Sequence, residues 1–423
     1  MTRFSLVPLW AALALYFALT LALIRVVPFN GAPDEAAHAQ YIEALVSTHA
    51  LPVFAGQAPP NAGYEFHQPP LFYLLAAPLW AVAGSEARVY AVRALSLVFG
   101  LLCIVVVWQT ARLVFGRDSR APVFCVLGAA LSPLHGGIGA SINNDALAGL
   151  WAACLFALVA RAWLVGATRP VVVLTGVVVG LGALTKLTVL PLGVWALVCL
   201  GLALRKQGHR PLTALLPALG IALLIAAPML LRNQVLYGDP FAYGLFSRAA
   251  ANVSPGIALF SAPIGAGGYL RGMALQIIGT AFGFWGGSSS FAKVIGTFSP
   301  SGPRLPSPEW AIPFLIVVAI PLLGALNWRR ASTLAVPDDA CRSLWRCWAV
   351  GVVLIFALWM NFALAHVAGG QARYLHGVLL PLSLVVGGGL SASGRAGTLA
   401  AALLGAVMIG LSLANIFVWK TLV

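Results

Sequence analysis

Charge is scarce in this 423-residue chain: 9% of its residues are Asp, Glu, Lys or Arg, against roughly 25% in soluble domains. With 61% hydrophobic residues and a mean hydropathy of +0.94, no soluble arrangement hides so much apolar surface. A polytopic membrane protein is the class that remains. Acids are the scarcer sign, 11 against 25 Lys and Arg, for a net charge of +14. Zinc-finger spacing and a basic tail are absent. The positive excess therefore points to cytoplasmic loops and anionic membrane lipids, not to nucleic acid. Cysteine is missing where a disulfide framework would need it. Cys103, Cys125, Cys154 and Cys199 lie inside apolar runs, Cys341 and Cys347 lie beside basic loops, and neither long polar interval contains one. No internal repeat or low-complexity linker divides the chain, and it reads as one membrane domain, 1–423.

Long apolar runs are what the chain has instead. A run of about 20 residues spans a bilayer as a helix. The first covers 7–27 and lacks a small-residue cleavage site, so it reads as a retained helix and not a signal peptide. Others fall at 91–114, 121–140, 146–166, 170–184, 188–204, 211–231, 309–328, 347–366, 376–391 and 397–418, which makes about eleven transmembrane helices. Lys186 interrupts the run 170–204 and divides it into a short hairpin. Two long intervals stay outside this series: a first loop, 28–90, and a second, 232–308, rich in Gly, Ser and aromatics. The expected fold class is all-α and polytopic, with surface helices in the first loop.

Lys and Arg orient the chain. With the N-terminus inside, the short inside loops hold 14 of the 25 positive charges, and both long loops lie outside. In a bacterium that is the periplasmic face of the inner membrane. Eight of the 11 acids then lie outside: Asp34, Glu35, Glu43, Glu65, Glu86, Asp145, Asp239 and Glu309. Several separate turns converge on that face. The first loop brings Asp34, Glu35, His38, Glu65 and His67. Later turns bring Asn143, Asn144 and Asp145, then Lys186, then Arg232, Tyr237 and Asp239, then His366, Gln371, Arg373, Tyr374 and His376. Ionisable groups near membrane depth are costly and mark function by default.

Asn30-Gly31-Ala32-Pro33-Asp34-Glu35 reads as a helix start, with Pro33 at the first helical position and acids at the positive helix end. A helix from there to about Thr48 puts Asp34, His38, Tyr41 and Leu45 on one face. It would lie along the membrane surface and hold a carboxylate at a fixed place above the bilayer. The bland alternative is that both acids only stabilise the helix start. Asp34-Glu35-Ala36-Ala37-His38 lacks the first ligand of a zinc-protease His-Glu-x-x-His. His67-Gln68-Pro69-Pro70 then opens a second, shorter apolar segment, 71–83, read as a half-buried helix.

This series resembles the GT-C membrane glycosyltransferases, of the protein mannosyltransferase and lipid A aminoarabinose transferase type. The resemblance rests on a first span, Pro-Asp-Glu-x-x-His, His-x-Pro-Pro-Leu and Arg93 opening the next span. It continues with Asn143-Asn144-Asp145-Ala146-Leu147, Thr185-Lys186, Arg232-Asn233 with Tyr237-Gly238-Asp239-Pro240, and Arg373-Tyr374. Gln68 departs from the more usual His-Pro-Pro. The resemblance implies an inverting transfer of a sugar from a polyprenyl-phosphate donor to a lipid, glycan or protein acceptor outside the cytoplasm. Asp34 is the candidate base, with Glu35 beside it. His38, His67, Asp145, Lys186, Arg232, Arg373 and Tyr374 are the candidates for holding the donor's phosphate and sugar, the cations opposing charge on the leaving phosphate. Asp34, Glu35, His38 and Asp145 form a candidate oxygen-rich site for a divalent cation, Mg2+ or Mn2+, should the loops converge. The 232–308 loop, with Gly265-Ala266-Gly267-Gly268, Gly286-Gly287-Ser288-Ser289-Ser290 and the aromatics Phe282, Phe284, Trp285, Phe291 and Phe298, is a candidate lid. Two other readings compete. A transporter or flippase of lipid-linked glycans would favour internal repeats and mid-membrane charges. A polymerase or ligase of surface glycans would share the location and the carrier.

Overall fold

The computed structural model describes residues 6–57, 61–251, 298–299, 302–303, 311–332, 338–365 and 372–422. The expected lid segments 265–268 and 282–291, and His366 and Gln371, lie outside these described residues. Helices dominate the rest. The described strands are one antiparallel pair of two residues each, Phe298–Ser299 with Gly302–Pro303.

Helix α1 (Val7–Val26) crosses first, with Pro8 in its opening turn. Helix α2 (Glu35–Thr48) follows a short turn. A 3-10 turn, Tyr64–His67, leads into α3 (Leu71–Val82). Then come α4 (Arg88–Phe115), α5 (Ala121–Leu131), α6 (Pro133–Gly139), α7 (Asp145–Leu164) and α8 (Arg169–Ala183). Helices α9 (Leu190–Lys206), α10 (Pro211–Tyr237) and α11 (Tyr243–Ala251) complete the first two-thirds. Helices Ala311–Ser332, Asp338–Ala365, Leu379–Ala392 and Gly394–Leu422 close the chain.

Among the described residues eight helices are long and apolar enough to cross a membrane, or nine with the bent pair α5/α6. Within the described residues, all eleven expected runs fall on helices. Two of them, α8 and the apolar stretch 315–328, are shorter than a full span. The run 121–140 is not the straight span expected. It bends by 54° between Leu131 and Pro133. Proline has no N–H to continue the ladder, and it drives the residue before it out of the helical region. Ser132 accordingly sits at ψ 115. The division at Lys186 is as expected. Lys186 is extended (φ −159, ψ 132) between α8 and the 3-10 turn Leu187–Val189 that opens α9.

The lipid-facing side is legible in what stays exposed. On α10, Leu212, Leu216, Leu223, Leu224, Leu231 and Val235 are all open. In water that stripe would be a liability; against hydrocarbon it costs nothing. The inner helices α4 and α7 pack on each other, and Cys103, Val107, Ala146, Leu150 and Phe156 belong to the buried core they share. The turn Ala372–Val378 lies on α7 because position 149 is glycine. A Cβ there would stand 2.1 Å from His376 Nδ1.

Candidate active site

The first loop builds the site around two adjacent carboxylates that go opposite ways. Helix α2 begins at Glu35, two residues after Pro33, so Pro33 is not the first helical residue that its sequence position suggests. Asp34 takes a left-handed backbone, φ 62, and makes no side-chain cap bond. That conformation is unusual for any residue but glycine, though Asp tolerates it better than most. It frees the Asp34 carboxylate from capping duty.

Glu35 points inward and is fully buried. Its Oε1 accepts from Arg93 Nε at 2.7 Å and from the Ile142 amide at 3.0 Å. Its Oε2 accepts from Arg93 Nη2 at 2.7 Å and from the Asn30 amide at 2.9 Å. Arg93 also donates to the carbonyls of Ile24, Val27 and Pro28. Glu35 therefore ties α1, α2, α4 and the turn before α7 together. With both oxygens engaged and no exposure, it is a structural link and not the second base considered from the sequence.

Asp34 turns toward a cluster drawn from distant parts of the chain. The Tyr64 hydroxyl donates to its Oδ1 at 2.6 Å. Arg373 pairs with its Oδ2. The same guanidinium lies 3.8 Å from Asp145 Oδ2, and Lys186 Nζ donates to Asp145 Oδ1 at 2.6 Å. Tyr374 flanks both cations, its ring centre 5.0 Å from the Arg373 guanidinium and 5.9 Å from Lys186 Nζ. Asp34, Asp145, Lys186, Arg373 and Tyr374 are thus one linked set, although they belong to four separate stretches of sequence. Asn143 Oδ1 accepts from the Asp145 amide at 2.7 Å and so sets the start of α7.

Burial pushes the Asp34 carboxyl up, but the Arg373 charge and the Tyr64 hydroxyl outweigh it and hold the group well below the usual carboxylate range. Asp34 is therefore ionised at neutral pH, and Arg373 keeps it a weak base. His38 stands on the α2 face below it, its Nδ1 2.8 Å from the Tyr73 hydroxyl. Burial pushes this imidazole below its ordinary value, against the pull of Glu65 and Asp34.

Two expected donor-binding residues have other partners. Arg232 donates to the carbonyls of Leu51 and Pro52, at 3.0 and 2.8 Å, and Tyr237 accepts from the Phe54 amide at 3.0 Å. The end of α10 thus pins the segment after α2. His67 stacks on Phe246, ring centres 4.0 Å apart, and donates from Nδ1 to the Tyr64 carbonyl at 2.8 Å. Burial pushes its imidazole down to about 4, so it offers no positive charge to a phosphate at neutral pH. The divalent-cation set does not fit either. Asp34 and Asp145 are already neutralised by Arg373 and Lys186, and Glu35 by Arg93. Among the described residues no group of three His, Cys, Asp or Glu side chains is arranged to hold a metal.

Three participants were not assigned roles from the sequence. Tyr64 carries no charge and lies 30 residues from the carboxylate it holds. Glu65 and Asn144 are buried, and each has an oxygen without a partner, Oε2 and Oδ1. Asn144 Nδ2 donates to Gln68 Oε1 at 3.2 Å and to the Thr185 carbonyl at 3.3 Å. Gln68, which departs from the usual His-Pro-Pro, is thereby the joint between the first loop and the Lys186 turn.

Residues 67–231 match the family model described as dolichyl-phosphate-mannose-protein mannosyltransferase. A search of curated proteins finds no match. Among solved structures the chain is similar to the apo oligosaccharyltransferase of Archaeoglobus fulgidus: 15% identity, 99% of this chain and 56% of that one, TM-score 0.53. The same enzyme tethered to an acceptor peptide containing the NVT sequon aligns at 15% identity over 98% of this chain and 55% of that one, TM-score 0.50. ArnT from Cupriavidus metallidurans bound to undecaprenyl phosphate gives 18% identity, 92% and 77% coverage, and TM-score 0.44. This chain spans little more than half the length of the archaeal enzyme. At such identities the likeness is one of fold.

Proposed function

We propose, from the GT-C membrane glycosyltransferase fold that this chain has, that it moves a sugar from a polyprenyl-phosphate donor to an acceptor hydroxyl or amide at the outer, periplasmic face of a bacterial inner membrane. The resemblance to that superfamily rests on the family match over 67–231 and on the likeness of fold. That family's dolichyl-phosphate-mannose donor supports a polyprenyl-phosphate donor here. The observation that carries the reading is the buried linkage Asp34–Arg373–Asp145–Lys186.

Each residue has a distinct task. Arg373 is the group whose partner changes. Its planar fork suits a phosphate at least as well as a carboxylate. When the donor phosphate arrives, Arg373 turns to it and releases Asp34, whose basicity rises. Asp34 takes the proton of the acceptor as that atom attacks the anomeric carbon. The bond from that carbon to the phosphate oxygen breaks, and its electron pair goes to the polyprenyl phosphate. Lys186 and Arg373 oppose the charge that develops there. Asp145 holds Lys186 in place. With Glu35 held by Arg93 and Asp145 by Lys186, the single base Asp34 gives a single displacement with inversion.

The test is purified protein in detergent with a short-chain polyprenyl-phosphate sugar. Glycosyl transfer releases free polyprenyl phosphate and a product of inverted configuration, and Asp34→Asn stops both. A transporter or flippase would move the donor without releasing polyprenyl phosphate.

A further inference from the structure

We propose that Glu65 is a specificity-determining residue that grips a hydroxyl of the transferred sugar through its unpartnered Oε2. The inference rests on the glycosyl-transfer reading and names a further part of that site. Glu65 is 7% exposed and sits on the 3-10 turn whose preceding residue, Tyr64, holds Asp34. It lies within electrostatic reach of His38 and Asp34 on the α2 side and of Lys186 from the turn before α9. Tyr73 on α3 and Tyr64 beside it complete the titratable groups that feel its charge.

A buried acceptor without a partner carries a desolvation penalty that a ligand hydrogen bond removes. Glu65 Oε2 is one such atom, and Asn144 Oδ1 is another. Gln68 stands between the two residues. It accepts from Asn144 at 3.2 Å, and its backbone amide donates to the Glu65 carbonyl at 2.9 Å. The cations suited to phosphate, Lys186 and Arg373, make no hydrogen bond to these acceptors. Uncommitted carboxyl and amide oxygens fit a ring of neutral hydroxyls and would repel a phosphate. The chemistry they recognise is therefore the sugar and not its carrier.

Burial holds the Glu65 carboxyl above its ordinary value, and a protonated carboxyl can both donate and accept. Its ionisation would add a second negative charge beside Asp34. Donor binding should then weaken as pH rises through the Glu65 ionisation.

The experiment compares Glu65→Ala and Glu65→Gln with wild type, with a panel of short-chain polyprenyl-phosphate monosaccharides and with short-chain polyprenyl phosphate alone as inhibitor. Glu65→Ala should raise the donor KM by about 10-fold and leave inhibition by the sugar-free phosphate unmoved. Glu65→Gln, which keeps the shape, should raise KM less and remove the rise of KM with pH that is expected of wild type. Equal weakening of donor and sugar-free phosphate by Glu65→Ala overturns the proposal. So does an alkaline KM profile of Glu65→Gln that matches wild type, which decides the matter if the alanine variant does not fold. A wild type that neither binds the sugar-free phosphate nor turns over any donor overturns the glycosyl-transfer reading and this inference with it. Turnover by wild type with indifferent Glu65 variants overturns this inference alone.

Discussion

Exchanging each of two adjacent carboxylates for its amide separates a structural role from a chemical one. In Glu35→Gln one oxygen becomes an NH2 group. Whichever way the amide turns, that group faces two donors. On the Oε1 side they are Arg93 Nε and the Ile142 amide; on the Oε2 side, Arg93 Nη2 and the Asn30 amide. The Arg93 charge, 1% exposed, loses its counterion at the same time. Breaking a buried pair this way costs about 3–5 kcal/mol, or roughly two to three and a half powers of ten in the folded ratio. Asp34→Asn is different. Its side chain is 32% exposed, and an amide still accepts from Tyr64. We expect about 1–2 kcal/mol of lost stability and a drop in transfer of about 10²–10⁴. Melting in detergent, followed by fluorescence of the 13 tryptophans, and turnover per folded molecule measure the two effects separately. Glu35→Gln melting like wild type while losing turnover as Asp34→Asn should, or Asp34→Asn keeping near-wild-type turnover, would refute the division.

Other expectations follow from the same contacts. Arg373→Lys cannot reach Asp34 and Asp145 together with a planar fork, and transfer should fall by about 10–10²-fold; unchanged kcat would remove Arg373 from the charge-stabilising role. His67 binds a proton near its ordinary 6.5 when unfolded and near 4 when folded. Between those values the unfolded chain holds more protons, so stability falls as pH falls, by up to about 1.4 kcal/mol per unit. His67→Asn should flatten that acid-side slope in a melting series. Arg232→Ala loses two bonds to the carbonyls of Leu51 and Pro52 and should lower the melting temperature more than turnover per folded molecule. A loss of donor binding with intact melting would return Arg232 to the donor site.

The sequence was most legible where composition and punctuation coincide. Apolar runs placed the helices, Pro33-Asp34-Glu35 placed the start of α2 to within two residues, and Lys186 marked the break between α8 and α9. Proline was harder to place: Pro33 stands two residues before the helix it was expected to open, and an apolar run conceals the bend at Pro133 when hydropathy is the only signal. The partners of charges were harder. Asp34 and Glu35 look alike in sequence, and only the positions of Arg93 and Arg373 tell them apart. Arg232 and His67 sit in suggestive motifs, yet carbonyls and aromatic rings claim them. Tyr64 has no charge to draw attention, and its role depends on a fold across 30 residues.

The contact between Asp34 and Arg373 also sets a clock. The two residues are 339 positions apart, and at a synthesis rate of about 5–20 residues per second the second is made roughly 17–70 s after the first. By the end of that interval the helices before the turn Ala372–Val378 can already occupy the membrane, with Asp34 and Lys186 beside it. The nascent protein therefore lacks the cation that holds Asp34. A partly inserted chain has the Asp145–Lys186 pair complete but not the Arg373 that joins it to Asp34. Ribosome-bound or truncated forms ending before Arg373 should thus meet carrier lipids without spending their sugars.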